Sequence, residues 1–132
     1  MDYFEMNMTA RQVNEQSMLA LAHVGDAVFE LMVRTMLCSQ SHASVAQLHR
    51  QSVALVRAQA QSAASEKLLS LLTEEELVIF KRGRNAKVHS VPHNAELADY
   101  HAATALEALF GWLFLQGRKD RLNELFSAMM EA

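Results

Sequence analysis

Proline occurs once and glycine four times in 132 residues. That is too few to turn the many corners of a β-sandwich or barrel. The single cysteine excludes a disulfide framework and any multi-cysteine zinc site. No apolar run approaches the roughly 18 residues that a membrane-spanning helix needs. The first eight residues carry Asp2 and Glu5 but neither lysine nor arginine, so they read as neither a secretory signal nor a transit peptide. There is no Gly-x-Ser-x-Gly elbow and no glycine-rich phosphate loop. His89 and His93 are four apart, but Pro92 lies between them and no glutamate completes a zinc-protease pattern. The expectation is a cytoplasmic protein with no membrane attachment.

What is present is a globular composition, 51% hydrophobic and 20% charged. The length suits one domain, residues 1–132, with no room for a second of normal size. Apolar residues recur at helical spacing throughout. Leu21, Val24, Val28, Leu31 and Met32 mark a helix over 18–38 with Ser17 as N-cap. A second helix starts near Ser44, with a further break near 62–65. Thr73 and Glu76 have capping-box spacing and open another. Residues 83–94 read as the one substantial loop. A long helix over 96–116 ends at Gly117, a good C′ stop, and a last helix covers about 118–130. No strand pattern is convincing. The fold class is all-α, with six or seven helices.

The net charge is -3, so the chain is not a basic nucleic-acid binder overall. The positive charge is nevertheless concentrated. Lys81, Arg82, Arg84 and Lys87 fall within seven residues, and Arg118, Lys119 and Arg121 within four. Such patches can bind a polyanion, because their field is felt over a Debye length of about 8–10 Å. A solvated helix end explains them equally well.

Two acids stand out. Gly25 and Asp26 are adjacent in the middle of a strongly apolar helix, and both are poor mid-helix residues. Gly25 would allow close approach of another backbone or a ligand, and Asp26 shares a helix face with Glu30. Glu107 sits in Ala102-Ala103-Thr104-Ala105-Leu106-Glu107-Ala108-Leu109-Phe110-Gly111, almost all apolar or small. A carboxylate there needs a partner, a metal or an escape at the helix edge. If the two helices pack, Asp26 and Glu107 form a shared hard-metal site of the kind magnesium takes.

The same segments resemble the ribonuclease III family, and within it the short Mini-III branch. Leu19-Ala20-Leu21-Ala22-His23-Val24-Gly25-Asp26-Ala27-Val28-Phe29-Glu30 is similar to the family's signature helix. Lys81-Arg82-Gly83-Arg84-Asn85-Ala86-Lys87 is similar to a Mini-III hallmark, and Glu107-Ala108-Leu109-Phe110-Gly111 to the family's second acidic motif. The resemblance runs from about Met18 to Leu125. It implies a homodimeric ribonuclease III endonuclease domain that cleaves double-stranded RNA with Mg2+ and lacks the double-stranded-RNA-binding domain of larger members. It implies Asp26 and Glu107 as catalytic, metal-binding acids, Glu96 as a further metal-ligand candidate and Glu30 as their supporting neighbour. Lys81, Arg82, Arg84, Asn85 and Lys87 become the RNA-binding residues. Ala22 and Thr104 stand where the larger enzymes carry a Glu and an Asp, as in Mini-III. The implied substrate is the paired ends of precursor 23S ribosomal RNA, with a ribosomal protein or pre-ribosomal particle as a further partner. Two other readings remain: a catalytically inactive RNA-binding module associated with the ribosome, and a helical interaction protein with no nucleic-acid role.

Overall fold

Among the described residues, four Ser or Thr side chains open helices. In each, the hydroxyl oxygen accepts the backbone N–H three residues on: Thr9 from Gln12, Ser17 from Ala20, Ser44 from Gln47 and Thr73 from Glu76. The computed structural model describes residues 1–86 and 96–131. Its seven helices are α1 (Ala10–Asn14), α2 (Met18–Gln40), α3 (Val45–Val56), α4 (Ala58–Glu66), α5 (Glu74–Arg84), α6 (Leu97–Leu115) and α7 (Lys119–Met130). There is no strand among the described residues. None of these helices is long and apolar enough to cross a membrane. The fold is the expected all-α class, and Lys87, His89, Pro92 and His93 lie outside the described residues.

α6 is the axis of the molecule. From Ala103 to Leu113 every residue is buried except Glu107, which is half-buried. A helix apolar on all sides must be enclosed on all sides, and α2, α4, α5 and α7 all pack on it. The expected stop at Gly117 is present in full. Gly117 has φ +73, its N–H bonds to the Phe114 carbonyl, and the Arg118 N–H bonds to that of Leu113.

Two elements differ from the sequence expectation. The helix after Ser44 breaks at Arg57, whose backbone is extended (φ -65, ψ 153), and α4 then runs straight through 62–65. The reason is tertiary: α3 packs on α2 while α4 packs on α6, and one straight helix cannot lie on both. The short α1 was also not expected. Its Thr9–Gln12 capping box is complete, and Asn14 at its end accepts the Trp112 indole N–H at 3.1 Å.

The second basic cluster is spent on this architecture. Glu76, fully buried at the start of α5, accepts Arg121 Nε at 2.8 Å and Nη2 at 2.7 Å, while Arg118 lies 3.9 Å away. Lys119 pairs with Glu5 at 2.6 Å. Burial alone would raise the Glu76 pKa. Arg121, the Thr73 N–H and Arg118 outweigh it and hold the carboxyl below its ordinary value. Its stabilisation is therefore present above the ordinary carboxylate pKa and is lost as pH falls through the lowered one. Arg121→Ala strips the main partner from a buried charge, so a loss of about 3 kcal/mol is expected. The check is denaturant unfolding at pH 7 and pH 3, where the gap between variant and wild type should narrow on acidification.

Candidate active site

The two unfavourable residues of α2 are explained by a helix crossing. A Cβ built on Gly25 would lie 1.6 Å from the Glu107 carbonyl oxygen and 2.7 Å from the Gly111 nitrogen. One built on Gly111 would lie 1.9 Å from the Leu21 carbonyl oxygen. The backbones of α2 and α6 therefore touch, each through a glycine. The crossing fixes Asp26, next to Gly25, against Glu107, one helical turn before Gly111.

The two carboxyl groups are within hydrogen-bond reach of each other. Glu107 is pushed up to about 9, first by burial among the apolar residues of α6, then by its hydrogen bond to Asp26 and the Asp26 charge. Asp26 is exposed, so the pair opens to solvent at one end. In the absence of a cation, a proton on Glu107 offsets the repulsion between two facing acids. A hard divalent ion fits this donor set: two carboxylates replace that proton with direct oxygen ligands, and water fills the remaining positions. Among the described residues, no group of three or more His, Cys, Asp or Glu side chains is arranged around an ion.

The other expected site residues are distributed as follows. Glu30, one turn after Asp26, pairs with Arg34 on its own helix at 2.6 Å. Glu96 is the N-cap of α6 and makes no side-chain capping bond. Eleven residues at a rise of about 1.5 Å place it roughly 16 Å along the axis from Glu107, so the structure does not bring it to the acidic pair. Ala22 is buried beside the crossing, and the Thr104 hydroxyl donates to the Tyr100 carbonyl at 3.0 Å.

Lys81, Arg82, Arg84 and Asn85 are exposed at the C-terminal end of α5. Neither Lys81 nor the two arginines pairs with an acid among the described residues. Their approach to α6 depends on Gly83, where an added Cβ would meet Ala105 and Ala108 at 3.0 Å. The basic end of α5 is thus anchored on the helix that carries Glu107. Gly111 is the functional residue that reading the sequence missed as a contact. Its signal is its position four residues after Glu107, on the same helix face.

Comparison with known proteins agrees with this architecture. A family model described as the ribonuclease III domain matches residues 19–118. The Mini-ribonuclease 3 of Symbiobacterium thermophilum is 44% identical over 110 residues, covering 83% of this chain and 85% of that protein. That of Enterococcus faecalis is 42% identical over 119 residues, 89% of this chain and 90% of that one. A crystal structure of a Fusobacterium nucleatum protein superposes with a TM-score of 0.79 at 32% identity, covering 88% of this chain and 93% of the other.

Proposed function

The chain belongs to the ribonuclease III family, on its Mini-ribonuclease 3 branch, and from that premise we propose that this endoribonuclease is a Mg2+-dependent homodimer that cuts double-stranded RNA. Its proposed substrate is the paired ends of precursor 23S ribosomal RNA in the cytoplasm, with a ribosomal protein or pre-ribosomal particle assisting. The observation that carries this reading is the facing pair Asp26 and Glu107 at a glycine-to-glycine helix crossing.

Asp26 and Glu107 would hold the magnesium ion through their carboxylate oxygens. When bound, Mg2+ supplies an activated water and stabilises charge on the departing oxygen of a phosphodiester. The chain supplies the rest. The apolar walls of α6 keep bulk water from the inner carboxyl, the solvent-facing Asp26 leaves the pair open to a phosphate, and Arg34 fixes Glu30 beside it.

Lys81, Arg82, Arg84, Asn85 and Lys87 are the proposed RNA contacts. They contact phosphates and 2′-hydroxyls rather than base edges, because an A-form duplex is read mainly by shape and backbone. Arg82→Ala and Arg84→Ala should each raise the dissociation constant for a labelled duplex. Each should also flatten the plot of log affinity against log salt by about one unit per lost contact. Cleavage at saturating RNA should change little. Binding titrations from low to high salt, beside thermal unfolding of each variant, check this. An unchanged salt slope with a lowered unfolding temperature would make the cluster structural and sink the proposed RNA face.

A further inference from the structure

The 35 residues from Leu31 to Ser65 contain no Asp or Glu, although the chain carries 15 such acids. They cover the second half of α2, all of α3 and most of α4. The basic groups among them are Arg34, Arg50 and Arg57, with His42 and His49. Arg50 and Arg57 are exposed and pair with no acid among the described residues. Seven residues apart, they project from one side of α3. On a chain of net charge -3, a polyanion approaching this surface meets cations and none of the carboxylates that repel it elsewhere.

A groove of about 250 Å³ lies between α2 and α3. Leu37 and Leu48 are among its apolar walls, and Arg34, Cys38, His49 and Ser52 give it polar groups. Ser52 is only 4% exposed. The hydroxyls of Ser39, Ser41 and Ser65 donate to helix carbonyls. That of Ser52 makes no hydrogen bond among the described residues, and it lines the groove. A buried hydroxyl without a partner is costly, so it is a donor waiting for an acceptor. Arg34 is held against Glu30 at 2.6 Å, with its side chain still facing solvent. The groove also lies on the side of α2 that carries Asp26. Leu37 follows Asp26 by eleven residues, about three turns, which returns it to the same side roughly 16 Å along the axis.

We propose that this groove and the Arg50–Arg57 side of α3 form a second contact for the RNA backbone, gripping the strand that flanks the cut. The inference rests on the duplex-RNA reading above and adds residues to it. α5 packs on α6, and α3 packs on α2. The acidic pair at the α2–α6 crossing therefore has the α5 cations on one flank and the α3 cations on the other. A strand laid across Asp26 and Glu107 meets carboxylates that repel its phosphates, and cations on both flanks hold it there. Ser52 and His49 offer hydrogen bonds to a phosphate oxygen or a 2′-hydroxyl, and Leu37 and Leu48 suit the apolar face of a ribose. Phosphates and 2′-hydroxyls are what an A-form duplex presents. None of these residues is placed to read a base, so this contact lengthens the footprint without selecting sequence.

Cys38 makes the test direct. It is the single cysteine, it is exposed, and it lines the groove, so its alkylation by iodoacetamide reports whether the groove is covered. The full chain is held in a chelator, so that the duplex stays whole. Duplex RNA at ten times its dissociation constant should slow alkylation about tenfold. Inorganic phosphate or a nucleoside monophosphate at the same phosphate concentration should leave the rate unchanged. Equal protection by either would make the groove a small-anion site and overturn the inference. The double variant Arg50→Ala, Arg57→Ala should bind duplex several-fold more weakly and flatten the plot of log affinity against log salt by about two units. Its unfolding temperature should match wild type, because both side chains are exposed and unpaired among the described residues. Bound duplex that leaves Cys38 alkylation unchanged, or a double variant with the wild-type salt slope, overturns this inference and leaves the α5 contacts standing. A wild type that binds no duplex at all overturns the duplex-RNA reading itself.

Discussion

Asp26→Asn and Glu107→Gln should each reduce cleavage of duplex RNA by about 10³-fold, with the helical fold intact. A bound metal contributes several kcal/mol to a phosphodiester transition state, and every 1.36 kcal/mol is tenfold in rate. Neither variant should cost the fold much, because Glu107 is held protonated beside Asp26 at neutral pH, and an amide in place of either acid keeps a neutral hydrogen-bonding group there without adding a second charge. Glu107 makes this visible in its pH dependence. Its folded pKa is raised to about 9 by burial and by Asp26, well above the unfolded value. Between the two values the folded protein binds the extra proton, so stability of the metal-free protein falls as pH rises through that window. Glu107→Gln should flatten that slope and unfold at the wild-type temperature or above. Metal must displace the same proton, so at limiting magnesium wild-type cleavage should rise with pH up to about 9. Cleavage near the wild-type level in either variant would remove that residue from the metal site.

Gly25→Ala should be among the most damaging single substitutions in the chain. Helix propensity alone favours Ala over Gly by about 0.8–1 kcal/mol, so an uncrowded position would gain stability. Here the new methyl group meets backbone on the facing helix at 1.6 Å, and backbone cannot rotate away as a side chain would. Overpacking typically costs about 1–3 kcal/mol, and this contact belongs at or beyond the top of that range, equivalent to roughly 10 °C in unfolding temperature. Gly111→Ala should behave alike, through the Leu21 carbonyl at 1.9 Å. Forcing the helices apart also separates Asp26 from Glu107, so activity should fall even well below the unfolding temperature. Calorimetry and cleavage assays on both variants check this, and a variant more stable than wild type would contradict the crossing.

The parts of this molecule that could be read from its sequence are those set by local chemistry. Ser17 and Thr73 announce their helices because a capping hydroxyl needs only residues three positions away. Gly117 announces a stop because its positive φ is a local property. Asp26 and Glu107 stood out because a carboxylate in an apolar helix has a cost that some partner must offset. What stayed hidden depends on the facing helix. The break at Arg57 has no glycine or proline to mark it, and follows from α3 and α4 choosing different neighbours. Arg121 reads as a surface cation in a basic cluster until Glu76, far away in sequence, is seen buried beside it. Gly111 is an ordinary small residue until Gly25 is placed opposite.

One incubation tests whether the acidic pair holds the working metal: labelled duplex RNA with the wild-type protein, in magnesium and in a chelator, beside Glu107→Gln in magnesium. Cutting by the wild type in magnesium alone, with duplex bound but whole in the other two lanes, is the result this geometry predicts. Equal cutting with and without magnesium, or by Glu107→Gln, would show that Asp26 and Glu107 are not where the metal works.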